Sequence, residues 1–110
     1  MNVIEETRRL AAQVDAEFEK DWARRGFTHE RDRVVLNENR KGKKFLYVDF
    51  AQPGTNGGSG AWLVEIATGE IYNIKAYGVP DYNKKAKSNI GNVATVDPAR
   101  MLRMRWNYLR

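Results

Sequence analysis

The first quarter of the chain carries the pattern of an amphipathic helix. Over residues 2–25, apolar side chains recur every three to four positions and form one continuous stripe, while the opposite face is charged. The stripe is built on Leu10, Val14, Phe18 and Trp22. We predict a helix over this range and expect its stripe to pack on a sheet. The alternative is that the stripe binds a helix of a partner.

Both ends of this predicted helix carry suitable capping residues. Asn2 is an N-cap residue, and Glu5 follows three positions later, as in a capping box. Arg24 and Arg25 place positive charge in the last turn, where it favours the helix dipole. Gly26 supplies the left-handed conformation that commonly ends a helix.

Four later segments have the alternation and the β-branched and aromatic content of strands. They are residues 33–38, 45–51, 60–66 and 71–78. A short polar turn containing Gly joins the members of each pair, which predicts two hairpins. The second hairpin has the densest apolar pattern of the chain, so we expect it at the centre of the core.

Alternation along the strands divides their side chains between two faces. In the second strand, Leu46, Val48 and Phe50 share one face, and we expect that face to meet the helix. The opposite face carries Phe45, Tyr47 and Asp49. In the second hairpin, Trp62, Val64 and Ile66 share a face of the first arm, and Tyr72, Ile74 and Ala76 share a face of the second arm, opposite Ile71, Asn73 and Lys75.

Three connecting or terminal segments complete the chain. The Gly-rich residues 52–60 precede a strand rather than a helix, so we interpret them as a hairpin loop and not as a phosphate-binding loop. Residues 78–96 show little periodicity and predict a long surface loop. Asp97 and Pro98 then begin a short basic helix over residues 98–109. The predicted fold is α+β: the N-terminal amphipathic helix packed on a four-stranded antiparallel sheet of two hairpins, with a short C-terminal helix.

Composition limits the classes of protein that this chain can belong to. It has 110 residues, of which 42% are hydrophobic and 30% are charged, so we expect residues 1–110 to form one globular domain. The absence of cysteine excludes disulfides and thiolate sites, and it is compatible with a reducing cytosol. The charged start does not resemble a signal peptide, and no apolar run approaches the length of a membrane span. We therefore expect a cytoplasmic protein without membrane contact.

Positive charge is concentrated toward the C-terminus. The net charge is +5; residues 1–39 hold seven Lys/Arg against nine Asp/Glu, whereas residues 71–110 hold eight against two. Such an asymmetry suggests an acidic partner, with nucleic acid as the first candidate. The alternative is that the charge only keeps a small domain soluble.

The sequence contains no recognisable catalytic constellation. Its one histidine, His29, lies in a charged connection and has no nucleophilic partner in a known spacing. Asp49 and Glu65 lie on neighbouring predicted strands and could face each other, but a salt bridge is the commoner role for such residues. We therefore predict no enzyme activity, no metal site and no cofactor.

The one constellation with a chemical meaning combines basic and aromatic residues. Lys and Arg can neutralise phosphates, and Tyr can stack on bases. The pattern lacks the spaced aromatic residues on adjacent strands that define RNA-recognition sheets. The alternative to binding is that these aromatic residues pack together as a small satellite core. The predicted binding residues are Lys41, Lys43, Lys44, Lys75, Tyr77, Tyr82, Lys84, Lys85, Lys87, Arg100 and Arg103.

Residues 60–92 resemble a recurring segment in small proteins of tailed bacteriophages. In that segment a Thr-Gly-Glu/Asp-Ile/Val-Tyr turn leads into a Lys-x-x-Gly-x-Pro loop, and here the turn begins at Thr68 and the loop at Lys75. The resemblance carries no shared activity and no catalytic residue. It implies a phage or mobile-element protein made in a bacterial cytoplasm.

The expected function is that of a non-catalytic binding protein. We expect its basic, aromatic-containing C-terminal third to engage a host protein or nucleoprotein, in host takeover or counter-defence. The alternatives are sequence-independent binding of nucleic acid and a structural role in the virion. Assembly into a homo-oligomer is left open by the sequence.

Overall fold

The part of the chain that the structure describes folds as a six-stranded antiparallel sheet with two helices. The computed structural model describes residues 2–55, 58–81 and 89–108. In chain order the elements are α1 (Val3–Arg24), β1 (Arg33–Lys41), β2 (Phe45–Ala51), β3 (Ser59–Glu65), β4 (Glu70–Ala76), β5 (Val79–Pro80), β6 (Asn89–Asn92) and α2 (Pro98–Tyr108). The predicted α+β class is confirmed.

The sheet contains two short strands more than the four that were predicted. Strands β1 to β4 pair in chain order, as two hairpins should. Strand β5 then pairs with the Ile74–Ala76 half of β4, and β6 pairs with its Glu70–Tyr72 half. Both short strands come from the segment that was expected to be a loop. Two and four residues are too few for alternation to be visible in a sequence.

Local chemistry sets the ends of α1 as expected. The Asn2 Oδ1 atom accepts a hydrogen bond from the Glu5 N–H at 3.1 Å. After the last turn, Gly26 has a φ of 77°, the left-handed conformation that an L side chain rarely adopts. The chain then folds back, so that the Phe27 ring lies 4.6 Å from the Trp22 ring between centroids.

One core lies between the two helices and one face of the sheet. Leu46 and Val48 are buried there, and Phe50 packs against Phe18 at 5.8 Å between ring centroids. The expectation that this face of β2 meets the helix is therefore confirmed. From the helices, the buried members of the core are Leu10, Ala11, Val14, Phe18, Met101 and Leu102. The two helices thus share one layer, which we call the helix layer.

Asp15 fastens the start of β1 to α1. Its carboxylate accepts hydrogen bonds from Arg31 at 2.7 Å, from Arg33 at 2.9 Å and from the backbone N–H of Val34 at 2.9 Å. Burial would raise the pKa of Asp15, but these hydrogen bonds and the two positive charges outweigh it, and the pKa lies below its ordinary value. The ionised form is therefore favoured by folding.

Neither helix within the described ranges is both long enough and apolar enough to cross a membrane.

Candidate binding surfaces

The second face of the sheet points away from both helices, and we call it the open face. Trp62 pairs with Val48 in the helix-facing set, so the neighbouring pair of Leu63 and Tyr47 must point the other way. The same alternation assigns the side chains of the other strands. The open face is formed by Asn37, Phe45, Tyr47, Asp49, Leu63, Tyr72 and Ile74, with Tyr77 from the turn after β4.

Aromatic rings on the open face form two pairs across the sheet. The Phe45 and Tyr72 rings meet edge to face, with centroids 6.4 Å apart and an interplanar angle of 85°. Tyr47 and Tyr77 lie 5.4 Å apart between centroids at an angle of 48°. Leu63 on the intervening strand is only 1% exposed. A hydrophobic floor therefore supports two pairs of half-exposed rings.

A buried carboxylate lies among the polar groups of this face. Asp49 has no exposed surface, and its Oδ2 atom accepts hydrogen bonds from Asn37 Nδ2 at 2.9 Å and from the Tyr77 hydroxyl at 3.1 Å. The backbone N–H of Gly58 approaches the same oxygen at 3.4 Å. These contacts connect β1, β2 and the turn after β4. Asp49 therefore fixes the position of Tyr77 on the open face.

A β-bulge explains how the Tyr77 turn can lie so close to the sheet. Val48 pairs with Trp62, whereas Asp49 pairs with Gly60, so Ala61 is the additional residue. A Cβ atom at Gly60 would lie 2.8 Å from the Tyr77 ring and 2.8 Å from the Ile74 side chain. Only glycine leaves room for Tyr77 at this position.

A second candidate surface is the exposed side of α2. The Asp97 side chain accepts a hydrogen bond from the Ala99 N–H at 3.0 Å, which caps the helix as predicted. Met101 is buried in the core, whereas Arg100 and Arg103, three positions apart, are exposed on the same side of the helix. Arg100 also donates to the Ile90 carbonyl at 3.3 Å, and this contact fixes its guanidinium near β6.

The ion pairs divide the basic residues into two groups. All seven cations of residues 1–39 are within ion-pair distance of a carboxylate. Within the described part of the chain, Arg100 and Arg103 have no such partner. The N-terminal charges are therefore compensated within the protein, while Arg100 and Arg103 face outward. The paired cations are Arg8, Arg9, Lys20, Arg24, Arg25, Arg31 and Arg33.

The predicted binding residues do not form one surface. Tyr77 lies on the open face, Lys43 and Lys44 lie at the turn between β1 and β2, and Arg100 and Arg103 lie in the helix layer. These residues therefore lie on different sides of the sheet, and their role in binding stays a prediction. Lys41 and Lys75 lie in strands, but the structure does not describe their side chains. The other predicted residues lie outside the described ranges; they are Tyr82, Lys84, Lys85 and Lys87.

Asp49 and Glu65 do not face each other. Glu65 pairs in register with Phe45, at the opposite end of β2 from Asp49. Its carboxylate lies 3.9 Å from the Lys44 ammonium and accepts a hydrogen bond from Thr68 at 2.7 Å. The two carboxylates therefore make separate contacts.

His29 belongs to an aromatic cluster at the end of α1. Its ring lies 4.9 Å from that of Trp22 and 5.6 Å from that of Phe27 between centroids. Trp22 Nε1 donates to the His29 carbonyl at 2.9 Å. Among the described residues, no three His, Cys, Asp or Glu side chains are grouped so that they could hold a metal ion.

The sequence did not reveal the aromatic pairs of the open face. Phe45 and Tyr47 were assigned to one face of a strand, and Tyr72 to one face of another, but the strand between them and its register decide which rings meet. The only available signal was the i, i+2 spacing of aromatic residues in β2.

Comparisons of the chain with protein-family models, with curated proteins and with solved structures find no match.

Proposed function

We propose that this chain is a non-catalytic binding protein that uses α2 to engage an acidic surface of a host protein, alone or within a nucleoprotein. The observation that carries this proposal is that Arg100 and Arg103 have no carboxylate partner among the described residues, whereas the seven Lys and Arg side chains of residues 1–39 are all paired. Exposed, uncompensated arginines attract acidic surfaces and speed the encounter with them.

The chemistry of arginine supports a protein partner for this surface. A guanidinium presents a rigid fork of donors that matches a carboxylate in a bidentate arrangement. The buried Met101 and Leu102 hold the helix against the core, so the two arginines project from a fixed support. A fixed support lowers the entropy that is lost when a partner binds.

The setting of the proposed function is the cytoplasm of a bacterium that carries a phage or mobile element. It follows from the resemblance of residues 60–92 to proteins of tailed bacteriophages. In that setting, a small basic protein would act in host takeover or counter-defence by occupying a surface that a host complex needs.

Capture from a host-cell lysate tests this proposal. The tagged protein is compared with the Arg100→Glu/Arg103→Glu variant after nuclease treatment of the lysate, which removes proteins that are held only through nucleic acid. The matched control is Lys20→Glu/Arg24→Glu, which makes the same change of charge on exposed α1 residues.

The proposal predicts that the wild type and the control both capture at least one host protein that the Arg100→Glu/Arg103→Glu variant does not capture. Retention of the same proteins by all three chains, or of none by the wild type, would contradict it. Circular dichroism of each variant checks that the helices are intact.

A further inference from the structure

We infer that the open face is a binding site for single-stranded nucleic acid, separate from the surface on α2. The site consists of the two aromatic pairs, Phe45 with Tyr72 and Tyr47 with Tyr77, and of Lys43 and Lys44 at its edge. This inference does not depend on the proposed function, because the two surfaces lie on opposite sides of the sheet.

The arrangement of the rings favours a planar ligand. Phe45 and Tyr72 meet at 85°, so the rings are not stacked face to face on each other. Both remain partly exposed, as do Tyr47 and Tyr77. Base stacking on such side chains is the main source of affinity for single strands, and it tolerates any base sequence.

The spacing of the rings favours a single strand over a duplex. Phe45 and Tyr47 are two positions apart on β2, which separates them by about 7 Å along the strand. Consecutive bases of a duplex are about 3.4 Å apart along the axis and already stack on each other. Only an unpaired strand can spread its bases to the spacing of the two pairs.

The charge at the edge of the face is complementary to phosphate. Lys43 and Lys44 are exposed, and the Lys44 ammonium lies 5.4 Å from the centroid of the Phe45 ring. It lies 3.9 Å from a carboxylate oxygen of Glu65. This pair is long, and the Lys44 side chain is 64% exposed, so the pair contributes little and Lys44 can turn to a phosphate beside a base stacked on Phe45.

Fluorescence anisotropy with labelled oligonucleotides tests the inference. The probes are a 12-nucleotide single-stranded DNA, an RNA of the same length and a blunt DNA duplex, each at 50 and 200 mM salt. The variants are Phe45→Leu and Tyr72→Leu, which remove a ring, and Tyr72→Phe, which keeps it. Phe27→Leu is the control, because Phe27 is an exposed ring at the end of α1.

The inference predicts that single strands bind more tightly than the duplex and that affinity falls as salt rises. Loss of either ring should weaken binding about 5- to 100-fold, the range found when a stacking side chain is removed. Tyr72→Phe and Phe27→Leu should stay within about twofold of the wild type. No binding by the wild type, preference for the duplex, or unchanged affinity without the rings would overturn the inference.

A measurement on the wild type keeps the inference testable if the Leu variants fail to fold. Tyrosine rings labelled with fluorine report stacking by NMR, and the chain has five tyrosines. The single strand should shift the resonances of Tyr47, Tyr72 and Tyr77, the three tyrosines of the site. Shifts confined to the remaining tyrosines would place the ligand elsewhere and overturn the inference.

Discussion

The carboxylate of Asp15 accepts a hydrogen bond from the backbone N–H of Val34 at 2.9 Å. Because β1 is the first strand of the sheet, with β2 on one side, this N–H points to the free edge. A side chain of α1 therefore occupies part of the sheet edge, and an occupied edge resists pairing with other chains.

Replacement of Asp15 by Asn should be strongly destabilising. The Arg31 side chain is 8% exposed, and it would lose its buried ionic partner and keep only the exposed Glu19. Breaking one side of such a pair costs about 3 kcal/mol. Urea unfolding followed by tryptophan fluorescence measures the change. Glu38→Gln, which removes an exposed pair with Arg8, is the control and should cost less than about 1 kcal/mol.

Protonation of Asp15 should lower the stability of the protein at acidic pH. The pKa of Asp15 in the folded protein lies below its ordinary value of 3.8. Its contribution to the free energy of unfolding is therefore fully present when the pH is above 3.8. The contribution is lost as the pH falls through the lower, folded-state pKa, because the unfolded chain takes up the proton first. When the free energy of unfolding is measured from about pH 6 downward, it should therefore decrease once the pH is below about 4. Asp15→Asn should lack this component; an identical acid profile in both chains would contradict the assignment.

The hydrogen bond between Tyr77 and Asp49 should be measurable by a double-mutant cycle. The Tyr77 hydroxyl donates to a fully buried carboxylate at 3.1 Å, and bonds to charged groups contribute more than neutral ones. Tyr77→Phe, Asp49→Asn and the double variant should give a coupling energy of about 1–2 kcal/mol. A coupling near zero would mean that Asp49 does not fix the Tyr77 turn.

Gly60 should not tolerate even an alanine. The added Cβ would lie 2.8 Å from the side chains of Tyr77 and Ile74, which real structures essentially never show. Moving these groups should cost about 1–3 kcal/mol, as overpacking usually does. The neighbouring Ser59→Ala, at an exposed position, should change stability by less than about 0.5 kcal/mol. Equal midpoints of thermal unfolding for Gly60→Ala and Ser59→Ala would contradict the close approach of Tyr77 and Ile74 to Gly60.

The sequence was most informative where one element determines its own structure. The stripe from Leu10 to Trp22, the Asn2 cap and the Gly26 end all follow from chemistry within a few residues, and α1 matches them closely. The choice of Leu46 and its partners as the buried face of β2 was also correct. Polarity decides that choice, and polarity can be read from the sequence.

The sequence was least informative where distant segments meet. The Phe45–Tyr72 pair depends on the register of three strands, and the bulge at Ala61 depends on where β3 departs from alternation. The sheet also separates Tyr77 from Arg100, two of the predicted binding residues. Net charge along a chain does not reveal which side of a sheet each residue occupies.

The most direct test of the proposed function is the affinity of the captured host protein for matched charge variants. Interferometry would compare the wild type, Arg100→Glu/Arg103→Glu and Lys20→Glu/Arg24→Glu with that protein at 50 and 200 mM salt. We expect the α2 variant to lose at least about tenfold in affinity, the scale of about 1.4 kcal/mol, and the α1 variant to stay within about twofold. Equal losses in both variants would show that only net charge matters, and would contradict a binding surface on α2.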